Sequence, residues 1–276
     1  MNATYASPTP GLSRRSIIQY AALAAVSAPA ISANASIPIS VALNRTARFR
    51  GNAVRCAKAY CQIHLKVLPD LSQELLANVQ RQIASGFESL NTANFSSDIV
   101  PLFNALRSEN VNFMSALGAQ PSKASVLQAS QQADRMFAAA NRMVEALQAQ
   151  SKQTTARLIN QAAFVRNRSQ RLARNFFLAA AGHDNKDLRD QLISDRADFT
   201  RALDELNKAP ISTPAIRNEL GLAQSQWVFF EAALNRKADE ESMRQVATTS
   251  ERIHDVGDAL TALYDAALKE LLGSTG

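Results

Sequence analysis

Leu158-Ile159-Asn160-Gln161-Ala162-Ala163-Phe164-Val165-Arg166-Asn167-Arg168-Ser169-Gln170-Arg171-Leu172-Ala173-Arg174 contains no Gly or Pro and is rich in Ala, Leu, Gln, Arg and Asn. Most of these residues lose little rotamer freedom in a helix. An earlier stretch repeats it. Setting Leu43-Asn44 against Ile159-Asn160 gives an offset of 116, which also pairs Arg50 with Arg166, Arg55 with Arg171, Ala57 with Ala173, Lys58 with Arg174 and Tyr60 with Phe176. With one residue of slip Phe113 meets Phe230 and Leu117 meets Leu234; later, Val126 and Ser130 fall against Val246 and Ser250. A register kept over several segments predicts a tandem duplication of a unit of roughly 115 residues.

Punctuation falls at Pro69, Ser96-Ser97 to Pro101, Pro121, Gly182 to Asn185, and Pro210 to Pro214. Between these marks apolar residues recur at helical spacing, as in Trp227, Phe230 and Leu234 or Val256, Leu260, Leu263 and Ala267. Ser122 after Pro121, and Thr213 before Pro214, read as helix starts. The predicted helices are 40–67, 71–92, 98–117, 122–150, 153–181, 186–208, 214–235 and 239–271. The expected fold is all-α: two tandem up-down four-helix units, 36–152 and 153–276, with short connections. Nothing breaks the chain between Met143 and Ala181, so the fourth and fifth helices are open to running as one rod. From 122 to 181 that rod would be about 90 Å long.

Composition agrees. The 276 residues include only 9 Gly and 9 Pro, too few for the turns of a sandwich or barrel. A 46% hydrophobic share suffices for a core. No apolar run reaches the roughly 18 residues of a membrane span, which argues against a polytopic membrane protein. Residues 1–35 read as an export signal: Ser13-Arg14-Arg15-Ser16-Ile17-Ile18, an apolar stretch from Tyr20 to Ile31, and Ala33-Asn34-Ala35 at the cut. The paired arginines resemble a twin-arginine signal; a general secretory signal with two chance arginines is the alternative. Either route predicts a periplasmic protein starting near Ser36. Such a chain would hold 28 bases against 24 acids, with no acid before Asp70 and none between Glu145 and Asp184. An exported basic protein is expected to meet small anions, acidic partners or lipid head groups rather than nucleic acid.

The run from Leu158 to Arg174 resembles the signature that opens the sensor domain of type IV pilus chemotaxis transducers, a domain shared with nitrate/nitrite sensor kinases. Asn160, Arg166, Ser169, Gln170 and Arg171 match in register. Residues 224–230, 249–252 and 261–264 are similar to its later segments. The resemblance covers about 155–268. The first copy, about 40–150, keeps Asn44, Arg50 and Arg55, with Ala53 and Val54 in place of Ser-Gln. The resemblance implies that Arg166, and with it Arg50, contacts an anion such as nitrate or nitrite between paired first helices. A planar, permanently charged guanidinium suits a planar oxyanion. Two such arginines repel unless an anion lies between them. The chain could supply both, or a homodimer could pair like with like; a continuous fourth-to-fifth helix would argue against the first option. The competing reading leaves these arginines solvated or paired with acids of the next helix. Arg171 and Arg174 share a stripe with Asn160 and Asn167, read as an interhelical hydrogen-bond seam.

Cys56 and Cys61, five apart on a helix, point about 140° apart and lie near 8 Å between Cα atoms, beyond disulfide reach. Cys61 and His64 could share a face, but two ligands do not make a metal site. The cysteines are read as small buried core residues, and Trp227, Phe229 and Phe230 as core. No catalytic motif or Gly-rich phosphate loop is present, and no cofactor is expected. The sequence therefore predicts a non-enzymatic signal-input protein. It would bind a small anion or a partner and pass its signal by contact to a membrane-bound protein, since no kinase or methyl-accepting region follows residue 276. The alternatives are a periplasmic redox or assembly accessory carrying a cofactor, and a structural protein of the cell envelope.

Overall fold

Eight α-helices run through the computed structural model: α1 (Ile39–His64), α2 (Pro69–Asn91), α3 (Val100–Leu117), α4 (Lys123–Ser151), α5 (Ala156–Leu178), α6 (Lys186–Asn207), α7 (Pro214–Leu234) and α8 (Glu240–Gly273). The structure describes residues 37–151 and 156–273, and there is no strand among them. The export-signal reading of residues 1–35 lies outside the described residues.

Local chemistry sets the starts. Thr213 accepts a hydrogen bond from the Ile216 amide, with Pro214 at the first helical position. Asn185 does the same for Leu188. At α4 the Ser122 hydroxyl accepts from the Ser125 amide while Ser125 Oγ accepts from the Ser122 amide. The same reciprocal box opens α8, from Asp239 and Ser242. A single π-helical turn, Ala179–His183, closes α5, with Gly182 at φ 85°, a left-handed conformation that glycine adopts freely.

Each half of the described chain packs alike. α1 lies on α2 and α4, with α3 on α4; α5 lies on α6 and α8, with α7 on α8. The halves meet where α1 lies along α5. These two helices run parallel: Gly51 faces Asn167, and Cys61 lies near Arg174. α4 runs antiparallel to α5. His183 Nε2 donates to the Lys123 carbonyl at 2.6 Å, and Arg174 Nη1 reaches Asp134 at 2.5 Å.

Those contacts overturn the single rod. In a continuous helix Asp134 and Arg174 would stand about 60 Å apart. Instead α4 ends at Ser151 and α5 begins at Ala156. Folding back buries Leu172, Ala173, Phe176 and Phe177, a gain far larger than the small propensity preference for continuing a helix.

The repeat register of the last helix also differs from the expected one. The matching capping boxes set Ser125 against Ser242, and the same register sets the buried Ala129 against Val246, Ala133 against Ser250 and Met143 against Leu260. That is an offset of 117, so Val126 and Ser130 do not correspond to Val246 and Ser250. The identical letters misled; the packed faces obey the slip already present at Phe113 and Phe230.

Candidate functional site: the α1–α5 seam

A glycine eases the packing of the seam. A Cβ at Gly51 would overlap Asn167 Oδ1, so glycine lets α1 approach α5 at the level of Arg50 and Arg166. The two arginines are near enough for Arg166 to help lower the Arg50 pKa, after the larger effect of burial; together they bring it to about 10, with Glu145 opposing. One chain therefore brings both sequence-predicted arginines to a single seam.

Their partners differ. Arg166 is buried and pairs with the Asp258 carboxylate of α8. Arg50 Nη1 donates to Asn141 Oδ1 of α4 at 3.0 Å. Asn141 and Asp258 stand at equivalent places, 117 apart, as Arg50 and Arg166 stand 116 apart. Where the second half has a carboxylate, the first has an amide. Asn141 Nδ2 in turn donates to Glu145 Oε1 at 2.6 Å. Burial lowers the Arg166 pKa, offset by Asp258.

Arg50 faces a cavity of about 410 Å3 bounded by α1, α4 and α5. Asn160, Gln161, Asn167, Arg168 and Arg171 line it beside Asn141, Phe137 and Phe164, and Glu145 is the sole carboxylate among its described lining residues. Arg168 and Arg171 are already engaged. Arg168 reaches Asp195 at 2.5 Å and Asp198 at 3.1 Å, and lies over the Phe164 ring. Arg171 Nε donates to Asp195 at 2.7 Å. Burial pushes the Asp195 carboxyl up to about 6, against the pull of the arginines.

The structure thus gathers Arg50, Asn160 and Arg171 around one cavity and leaves the other signature residues elsewhere. Arg166 is turned to Asp258. Asn44 is exposed on α1. Arg55 and the fully buried Lys58 both pair with Glu251 of α8. Ser169 Oγ donates to the Arg166 carbonyl within α5, and Gln170 Nε2 donates to the Ser250 carbonyl, which ties α5 to α8. The seam expected of Arg171 and Arg174 is made of ion pairs, to Asp195 and Asp134. Sequence reasoning missed Asn141, Glu145 and Gln161. An offset of 117 carried into α4 would have set Asn141 against Asp258 and flagged the unmatched arginine.

Cys56 and Cys61 are buried free thiols on α1, and burial pushes the Cys61 thiol up to about 12 and Cys56 higher. No group of three metal-ligating side chains occurs among the described residues. Trp227 stacks on Phe199 at 4.2 Å and Phe230 is buried with it, but Phe229 is exposed, against its reading as core.

Residues 147–253 match the model of the type IV pili methyl-accepting chemotaxis transducer N-terminal domain. No curated protein and no solved structure matches the chain. The transducer-type match runs from the end of α4 through α7 into the first half of α8, and holds Asn160, Arg166, Ser169, Gln170 and Arg171. It supports a sensor-type input domain over that stretch. No helix among the described residues is long and apolar enough to cross a membrane.

Proposed function

We propose that this chain is an exported signal-input protein, an internal duplication with units at 36–152 and 153–276, that binds a small oxyanion at Arg50. One observation carries the reading: of two equivalent arginines at the α1–α5 seam, Arg166 is ion-paired with a carboxylate, whereas Arg50 donates to an amide and faces an open cavity with Glu145 at its wall. The match to a transducer input domain supports a signalling role, and the arginine-rich, acid-poor stretches of the chain support an anionic ligand. An oxyanion such as nitrate or nitrite, entering beside Arg50, would accept its guanidinium hydrogen bonds and screen it from Arg166. Ligand binding then favours the arrangement of α1 and α5 that holds the anion best, and a membrane-bound partner that prefers this arrangement reads the shift. No catalytic step is involved.

The test is thermal unfolding of the exported chain with nitrate, nitrite and sulfate, using the wild type and Arg50→Gln. A specific anion at 100 times its dissociation constant should stabilise by about 2.7 kcal/mol, and Arg50→Gln should remove the response. If no anion shifts the midpoint, or if Arg50→Gln responds as the wild type does, the reading is wrong.

A further inference from the structure

A second basic cavity lies on the other side of α1, against α2. It measures about 480 Å3, within the roughly 300–1,000 Å3 range of small-molecule pockets. Arg45, Arg48 and Arg55 enter it from one face of α1, and Arg81 from α2. No carboxylate occurs among its described lining residues. Arg55 is drawn to Glu251, and Arg81 donates to the Asn78 amide. Arg48 feels Asp258, which is itself bound to Arg166. Arg45 and Arg48 have no ion pair among the described residues.

The second half shows what normally fills such a space. There the arginines of α5 that face the following helix, Arg168 and Arg171, are bridged by Asp195 and Asp198 of α6. Burial aligns α2 with α6 at the offset of 116: Ile83 with Phe199, Phe87 with Leu203, Leu90 with Leu206. The positions equivalent to Asp195 and Asp198 are Val79 and Gln82. Both line the α1–α2 cavity, and neither can carry charge. In the first half Asn52 stands at the place of Arg168 and Arg55, at the place of Arg171, turns to Glu251, while both carboxylates are lacking and Arg45, Arg48 and Arg81 bring other cations to the groove.

From this we infer that the α1–α2 groove binds a small polycarboxylate, whose carboxylates supply the negative charge that Asp195 and Asp198 supply between α5 and α6. Arg45, Arg48 and Arg81 bind it in fork geometry, and the Asn52 and Asn78 amides supply further donors. This site is separate from the Arg50 cavity and stands or falls independently of it.

Isothermal titration of the full chain with succinate and with citrate tests the inference, with acetate and inorganic phosphate as comparisons. Arg45, Arg48, Gln82 and Arg81 are exposed, so substitutions there leave the core intact. The expected result is saturable binding of succinate or citrate, much tighter than acetate or phosphate. Arg48→Gln and Arg81→Gln should each weaken it about tenfold or more, as losing one charge-assisted hydrogen bond does. Gln82→Asp, which places a carboxylate in the groove, should weaken binding at least as much, while Arg50→Gln leaves it unchanged. No binding of either acid overturns the inference, as does phosphate binding as tightly. So does affinity that survives Arg81→Gln and Gln82→Asp, or that depends on Arg50.

Discussion

Replacing Glu251 with Gln should expose how the two halves are held together. Lys58 is fully buried on α1; its ammonium donates to Ser250 Oγ at 3.1 Å and pairs with Glu251, whose side chain is 26% exposed. Burial lowers the Lys58 pKa, and Glu251 opposes that shift. Burial would raise the Glu251 carboxyl, but Lys58 and Arg55 together hold it at about 2. Glu251→Gln leaves an ammonium in the interior without its paired carboxylate, with only the weaker influence of Asp255 remaining. Removing one partner of a buried pair typically costs about 3–5 kcal/mol. There is also a ceiling, because Lys58 can escape by releasing its proton. Doing so at pH 7 from an ordinary lysine pKa of about 10.4 costs roughly 4.6 kcal/mol. The expected loss is therefore about 3–4.5 kcal/mol, measured by urea unfolding at pH 7. It carries a signature: a lysine whose folded pKa is depressed binds fewer protons folded than unfolded, so the variant should gain stability as pH rises from 7 toward 10. Lys58→Met, which keeps volume and removes the charge, should cost about 1 kcal/mol or less. In that background Glu251→Gln should cost far less than in the wild type. A loss below about 1 kcal/mol for Glu251→Gln alone, with no rise at high pH, would refute the argument.

Three further outcomes follow from the packing and the charges. At Gly257 a Cβ would lie 2.7 Å from Arg166 Cβ and 3.1 Å from its Cα; Gly257→Ala should therefore destabilise by about 1–3 kcal/mol despite alanine's better helix propensity, and a stabilised variant in urea would show that α5 and α8 are not in close contact. Acid should act in two stages. The Asp195 pKa is raised to about 6, so its protonation favours the folded state as pH falls from 6 toward 4. Glu251 and Asp258 have lowered values, so their stabilisation is full above about 4.5 and is lost as pH falls toward 2. Urea midpoints from pH 7 to 2.5 should show this, and Asp195→Asn should remove the upper stage only; an unchanged profile would count against the assignment. Finally, Cys56 and Cys61 should react with a thiol reagent only through unfolding, because both are buried with raised pKa values, so labelling should accelerate in Glu251→Gln. Immediate labelling of the folded wild type would contradict their placement.

Much of the helical framework was legible because proline, glycine and capping residues mark the ends of most helices. Thr213-Pro214 is such a mark, and so is Ser122. The stretch between α4 and α5 carries neither proline nor glycine, and α5 packs antiparallel to α4 because this buries its apolar face on α1, α6 and α8. Repeat identity marked Arg50 and Arg166 as equivalent but left open whether one chain or two would bring them together, and could not say which has a carboxylate partner. That depends on Asn141 and Asp258, which differ in charge and lie about 90 residues away in sequence. The α1–α2 groove was hidden for the same reason. A missing carboxylate at Gln82 is visible only when α6 shows where the carboxylate belongs.

The parallel seam of α1 and α5 has a consequence for how such a protein can vary. A seam formed by two identical chains presents every side chain twice, and any substitution alters both sides together. Its halves also separate on dilution. Here the two strips are covalently tethered, so their meeting does not depend on how many molecules are present. Each strip can drift alone, which is how an amide can face one guanidinium and a carboxylate the other. A ligand site at such a seam, as proposed for Arg50, would be lopsided, count once per polypeptide, and fill along a simple hyperbola.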